Sequence, residues 1–496
     1  MKSKNIALFI IAIIAFPGCK KWLKEDPKSV ITTNQYYQTA EDAQSAVDGI
    51  YANLYVPYTG GGRNYSYAML ELVTGQFNTV SEGNDLVNVY NLRQNSASPL
   101  LEQWFSSAYQ GIEAANLVIA NVPGISMDTV QRSALIGEAR FLRAYFYYTL
   151  VNIFGDVPLK LTPTKSASDG LLSKTPVKDI YEQEIVPDLQ AAEASGMRAT
   201  PAGSGRVSTG AASALLAKVY LAMAGYPVNE TANYALARNK ALEVINSGNF
   251  SLFQTDANMT WFDKLNNPAF DNTQEHIWDI NFSSYIVNDI LPLELCPKGV
   301  TFISASAVNN DQGLLVPQTS FVASYDPADL RGQQNGFFFN NITVGGSAYN
   351  FPWSLYKFFD KGLLTNAPFS SKNFPVIRYA DILLTYAEAQ NAADGSPNAA
   401  AYAALNAIRT RAGLAALSGL SQSDFQNEVW KERWWELCGE NQNWYDIVRT
   451  HQIFDAVHNT MVNAVGFTLP SGATFQTNNL QFPIPLAEVE INPNLK

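Results

Sequence analysis

Glu432 and Glu436 stand one helical turn apart in the segment KERWWEL (431–437), and a pair of carboxylates is the minimum equipment for cleaving a glycosidic bond. That chemistry needs the two groups on opposite sides of the sugar, whereas glutamates four residues apart share one face of one helix. The pair therefore does not specify a hydrolase. Arg140, Arg143, Arg378, Arg409, Arg411, Arg433, Asp446 and Arg449 are further charges inside strongly apolar segments, and they read as ion pairs and carbonyl-capping arginines that fix helix packing. No Ser-His-Asp or Cys-His arrangement is legible, and no Gly-rich loop stands between a strand and a helix. Gly60-Gly61-Gly62 reads as a flexible turn. The histidines His276, His451 and His458 form no metal-ligand spacing with cysteines or carboxylates, so the expectation is no catalytic residue, no metal and no cofactor. Cys296 and Cys438 lie too far apart in sequence to establish a pair; buried free thiols are the preferred reading, with a disulfide as the alternative.

Aromatic residues in loops carry the stronger signal. A sugar ring offers an apolar C–H face that stacks on Trp or Tyr, and hydroxyls that hydrogen-bond amides, carboxylates and guanidinium groups. Most of the 27 Phe, 24 Tyr and 9 Trp must form core, and those in helical stripes, such as Trp104, Phe141, Tyr145 and Tyr220, are assigned to it. Tyr65, Tyr67 and Phe77 instead lead into the polar run from Asn78 to Asp85, with Tyr90 and Arg93 just beyond. Farther on, Trp261, Trp278, Tyr285, Tyr349 and Trp353 lie in a loop-rich stretch. The candidate ligand contacts are Tyr65, Tyr67, Asn78, Asp85, Tyr90, Arg93, Trp261, Trp278, Tyr285, Tyr349 and Trp353; the competing reading for each aromatic is a small satellite core under the loops.

Cys19 is the third chemical feature. Lys2 and Lys4 precede an apolar run from Ile6 to Phe16, followed by Pro17, Gly18 and the cysteine. The run is shorter than the roughly 20 residues that span a bilayer, and it has the layout of a secretory signal. Cleavage before Cys19 would leave an acylated N-terminus; the alternative is an ordinary signal in which Cys19 is incidental. The formal net charge of −11 becomes −13 once the two lysines leave, which argues against nucleic acid or anionic lipid as a partner. Charged residues make up only 16% of the chain, below the usual figure of about 25%, as suits a protein handling neutral polar ligands.

Helical periodicity supplies the elements that must hold these residues. Thr39 caps a helix with Asp42 three positions on; others start near Leu100, after Asp128 as far as Phe154, and after Thr175-Pro176, where Pro187 must kink or end the helix. Further helices are expected over Thr209–Gly225, Tyr234–Ser247, Val376–Ala393, Asn398–Ala412, Ser423–Cys438 and Trp444–His458. Leu216, Tyr220 and Gly225 followed by Tyr234, Ala237 and Ala241 show the large–small alternation of tetratricopeptide helix pairs, as do Leu383, Tyr386 and Ala387 followed by Tyr402, Leu405 and Ile408. Between residues 250 and 372 only short strand-like runs stand out: His276–Phe282, Thr301–Ser304 and Phe337–Val344. The expected fold is mainly α, with tetratricopeptide-like pairs in a right-handed helical scaffold and a loop-rich insert carrying short β-strands. Its divisions are 1–18 (signal), 19–38 (lipidated lead-in), 39–249 and 373–496 (helical regions) and 250–372 (variable insert).

Several stretches together resemble the SusD/RagB family of surface nutrient-binding lipoproteins: EARFLRAYFYYTLVNIFGDVPL (138–159), FPVIRYADILLTYAEA (374–389), ALNAIRTRAGL (404–414), KERWWEL (431–437), WYDIVR (444–449) and FPIPLAEVEINPNL (482–495). The resemblance implies four tetratricopeptide-like units and a variable region bearing the ligand site, with polar contacts from the loop at 78–93. It also implies a non-enzymatic protein tethered to the outer membrane by lipid at Cys19 and facing the cell exterior. Its implied role is to capture oligosaccharide and act as the hinged lid of a SusC-like TonB-dependent barrel. A helical polysaccharide hydrolase or lyase, and a lid for peptide or small-molecule uptake, are the rival readings.

Overall fold

Helices begin where the sequence supplies a side-chain acceptor for their unpaired N–H groups. The Thr39 hydroxyl accepts from the Asp42 amide and the Asp42 carboxylate accepts from the Thr39 amide, a reciprocal cap that opens α1 (Ala40–Tyr51). Ser98 caps α2 (Pro99–Asn121) and Asp128 caps α3 (Thr129–Phe154). The structure, a computed structural model, describes residues 33–59, 66–80, 84–201, 203–282, 291–298, 300, 313–364 and 370–496. Pro187 cannot donate to an α-helical ladder; the chain passes it through a π-helical turn over Tyr181–Ile185 and continues as α4 (Val186–Glu193). There follow α5 (Thr209–Ala224), α6 (Asn233–Asn246), α7 (Tyr379–Asp394), α8 (Ala399–Arg411), α9 (Gln422–Glu436) and α10 (Gln442–Thr450).

Packing runs along the series. Each helix from α1 to α7 lies against the next, and α7 also receives α8 and α9, so most burial is between sequence neighbours, as in a solenoid. The α2–α3 crossing is close because Gly111 has no side chain; a Cβ there would stand 2.2 Å from the Phe146 ring. One large apolar cluster spans the helices, and a second, smaller one joins Leu293, Cys296, Phe339, Tyr356 and Phe359 within the insert. Cys296 and Cys438 are both buried free thiols. Among the described residues no helix is long and apolar enough to cross a membrane, and Cys19 lies outside them.

Strands are short and pair antiparallel in twos: β1 (Phe77–Asn78) with β5 (Val316–Pro317), β2 (Val157–Pro158) with β3 (Lys174–Thr175), β4 (His276–Ile280) with β8 (Phe374–Arg378), β6 (Phe338–Val344) with β7 (Ser347–Leu355), and β9 (Gln452–Asp455) with β10 (Thr460–Asn463). The expected run Thr301–Ser304 lies outside the described residues. Two boundaries differ from the sequence reading. Val376–Arg378 is strand: Pro375 disfavours helical backbone at Phe374, and β-branched Val376 and Ile377 suit the pleat. The last long helix stops at Thr450, where His451 adopts left-handed backbone (φ 56°) and turns the chain into β9 instead of continuing to His458. Both α6 and α7 pack together although the whole insert separates them in sequence, and β4–β8 pairing closes the insert at its base.

Candidate functional site

The two glutamates of α9 face inward. Glu436 Oε1 accepts from Arg411 Nη2 at 2.6 Å and Arg378 Nη1 at 3.0 Å, and its Oε2 accepts from Arg331 Nη1 at 3.1 Å. Glu432 Oε1 lies 2.6 Å from Arg331 Nη1, and its Oε2 lies 3.4 Å from Arg409. Both carboxylates are fully buried. Burial alone would raise the pKa of Glu436, but the guanidinium groups of Arg411, Arg378 and Arg331 outweigh it and hold the carboxyl well below its ordinary value. At Glu432 burial prevails over Arg331 and Arg409, and the pKa rises. Two neighbours on one buried helix face, locked by arginines, have no space for a sugar between them.

These pairs belong to a wider network. Arg331, Lys357, Arg378, Arg409 and Arg411 meet Glu275, Asp329, Glu432, Glu436 and Glu440, five charges of each sign. Glu275, Asp329, Arg331 and Lys357 come from the insert and the rest from the helical region, so the network pins one to the other. A second cluster links Lys218 of α5, Asp381 and Glu388 of α7, Arg433 of α9, and Asp446 and Arg449 of α10. Arg140 and Arg143 of α3 grip Asp188 of α4 in the same way. Buried charges this well matched position the framework.

The surface that remains is built where the early loop meets the insert. β1 pairs with β5, β7 runs beside β5, and the Val80 amide donates to the Gly313 carbonyl at 3.1 Å. The short helix Asn84–Tyr90 follows, and the Tyr90 hydroxyl accepts from Gln318 Nε2 at 2.9 Å. Asn78, Asp85 and Tyr90 are half-buried and Arg93 is exposed, with Val80 and Val87 exposed nearby in sequence (42% and 41%). Along β7 the half-buried residues alternate as Tyr349, Phe351 and Trp353; the first two pack on the small insert cluster and Trp353 on the main core. The structure thus joins Asn78 and Tyr90 to the insert through β1–β5 and Gln318, with Tyr349 and Trp353 on the adjacent hairpin. Gln318 was not legible as a partner, since it follows a two-residue strand that carries no periodicity.

Three candidates are corrected. Tyr67 is buried, and its hydroxyl donates to the Gly439 carbonyl. Trp261 lies under the Arg411 guanidinium, 4.0 Å from the ring centroid, and Trp278 is packed edge-on by Phe141 and Tyr145 at 4.8 and 4.7 Å. All three rings serve the interior, so no ligand reaches them. Tyr65 and Tyr285 lie outside the described residues. A group that the sequence reading missed is Asp271, His276 and Asp279, whose candidate ligand atoms all lie within 4.8 Å of one another. His276 Nδ1 stands 2.9 Å from Asp279, and the Lys372 ammonium already pairs with Asp271.

Residues 331–496 match the profile described as the SusD family, and residues 21–221 match one described as starch-binding associating with outer membrane. A solved SusD superfamily protein from Parabacteroides distasonis is 33% identical and superposes with a TM-score of 0.86, covering 92% of this chain and 98% of that one. The chain belongs to the SusD family. Among SusD relatives, the SusD-like protein P25 of Formosa agariphila is 27% identical over 549 residues, covering all of this chain and 98% of that protein. A laminarin-binding SusD-like protein shares the fold with a TM-score of 0.74 at 23% identity, over 92% and 98% of the two chains. The two profile matches leave a gap between residues 221 and 331, where most of the insert lies.

Proposed function

We propose that this SusD-family chain is a cell-surface lipoprotein that binds oligosaccharide and delivers it to a SusC-like TonB-dependent barrel, over which it acts as a hinged lid. The observation that carries the reading is the meeting of the early loop with the insert on a charge-locked framework, with most of the insert falling between the stretches that match family profiles. The half-buried Tyr90, Tyr349 and Trp353, with Asn78, Asp85 and the exposed Arg93 in the same two segments, are residue types that suit a sugar, which needs a flat apolar face and several polar partners. The laminarin-binding neighbour and the starch-binding profile support a glycan as the ligand class. Capture involves no covalent step. In this reading residues 1–18 are removed, Cys19 is acylated, 19–38 tether the body, and 250–372 set ligand choice between the helical regions 39–249 and 373–496.

The test is calorimetry and affinity electrophoresis of the mature chain against a panel of neutral polysaccharides, with Tyr90→Ala and Arg93→Ala variants. One glycan class should bind saturably, and each variant should weaken it about tenfold while shifting Tm by no more than about 2 °C. Absence of saturable binding across the panel, alongside co-purification with a barrel, would sink the glycan reading in favour of a lid for another nutrient. Release of reducing ends would sink the non-enzymatic one.

A further inference from the structure

A cavity of about 600 Å³ opens between the C-terminal end of α3, the turn after α5, the end of α10, and the 3-10 turn Thr477–Leu480 with the chain that follows it to residue 484. No residue of the insert lines it. Tyr226 stands in its wall with 46% of its surface exposed, the one aromatic among the large apolar side chains that the described residues leave exposed. Its ring stacks on the His451 imidazole, centroids 3.8 Å apart and planes within 7°. The backbone fixes this pair. The Tyr226 amide donates to the Arg449 carbonyl at 2.8 Å, and the His451 amide to the Ile447 carbonyl at 2.8 Å. A Cβ on Gly225 would stand 2.3 Å from the Arg449 oxygen, so the approach requires glycine. Partial burial lowers the pKa of His451, and the stack is uncharged at neutral pH.

Around this flat pair the wall offers the carboxylate of Asp156, the ammonium of Lys174, the hydroxyl of Thr477 and the amide of Gln481. Asp156 is oriented by the Val177 amide, which donates to its Oδ1 at 2.9 Å. One charge of each sign leaves the lining neutral, which suits an uncharged ligand better than an anion. Volume, an apolar platform and a few polar groups are the features of a small-molecule site. A pyranose matches them: its C–H face stacks on the exposed tyrosine and its hydroxyls meet the surrounding donors and acceptors. We propose that this pocket is a second carbohydrate site, separate from the insert surface, which holds a neutral pyranose on Tyr226 with hydroxyl contacts to Asp156, Thr477 and Gln481.

The two sites are separable by mutation. Saturation-transfer NMR and calorimetry of the mature chain would use laminarihexaose, maltoheptaose, cellohexaose and mannohexaose, each up to about 10 mM, in a Tyr90→Ala/Arg93→Ala background. At least one probe should still bind there; adding Tyr226→Ala should weaken it about tenfold, and Tyr226→Trp should restore it. A Tm within about 2 °C of the parent establishes that Tyr226→Ala is folded. Binding of no probe in the double-variant background, or an affinity indifferent to Tyr226→Ala, overturns this site whatever the fate of the insert surface. Binding that disappears only in the Tyr90/Arg93 variants supports the first site and refutes the second.

Discussion

Replacing Glu436 with glutamine removes one charge from the largest buried network while keeping the side-chain volume. Of the three guanidinium contacts at 2.6, 3.0 and 3.1 Å, the glutamine carbonyl can retain those from Arg411 and Arg378. The amide NH2 then faces Arg331, donor against donor, and five cations stand against four anions. Removing one partner of a buried ion pair costs about 3–5 kcal/mol, a large share of the roughly 5–15 kcal/mol that holds a typical domain together. The expected loss is about 4 kcal/mol, measured by urea unfolding followed through tryptophan fluorescence. Glu428→Gln is the control: its pair with Lys431 at 2.6 Å is partly exposed, and its loss should stay below about 1 kcal/mol. The pH dependence carries a sign. Because the folded pKa of Glu436 lies below the ordinary 4.5, its contribution is complete above that value and fades as the pH falls toward the folded pKa. The gap between wild type and Glu436→Gln should therefore narrow in acid. A loss no larger than the control's, or a gap that stays constant down to about pH 3, would refute the reasoning.

Glu71 offers the opposite sign. Burial pushes its pKa to about 7, partly offset by the amides of Asn441 and Gly439. The folded protein holds this proton after the unfolded chain has released it, so stability declines between about pH 4.5 and 7. Glu71→Gln cannot ionise and should exceed wild type by about 3 kcal/mol at pH 8 while matching it near pH 4.5; melting curves with a pH-independent difference would contradict this. Gly111→Ala should lower stability by about 1–3 kcal/mol, because its methyl meets the Phe146 ring, and Phe146→Leu should recover part of the loss in thermal melts. An unchanged Tm for Gly111→Ala would mean that the two helices separate freely.

Helix starts were legible because caps are local: Thr39 with Asp42, and Asp128, each satisfy an N–H within three residues. The strand Phe374–Arg378 was not, since the local signals of Pro375, Val376 and Ile377 are short and run straight into the helical pattern of α7, and the pairing with distant β4 completes its conformation. The same distance separates surface from core among aromatics. Trp261 and Trp353 both sit in loop-rich sequence, yet one lies under a guanidinium and the other keeps part of its ring exposed. Arginines in apolar helices announced ion pairs, but a partner such as Glu275, which meets Arg411, comes from the insert and is invisible to any helical pattern. His276 and Asp279 illustrate a subtler obstacle. Residues three apart in a regular strand face opposite sides, and it is the irregular register of β4 that brings them together.

The β4–β8 pairing also bears on how such a chain can vary. With its ends tied, the span between Ile280 and Phe374 is a closed loop, and doubling the length of a flexible loop costs only about 0.6 kcal/mol. Helices α6 and α7 meet across the base of that loop. Exchange within that span is limited by what it gives to the framework: Phe321, Tyr325, Phe338 and Phe358 belong to the main core, and Asp329, Arg331 and Lys357 to the buried ion network. The freedom to vary is therefore confined to positions of the span that face away from both the core and the ion network, such as the exposed Asn350 and Pro352 on β7.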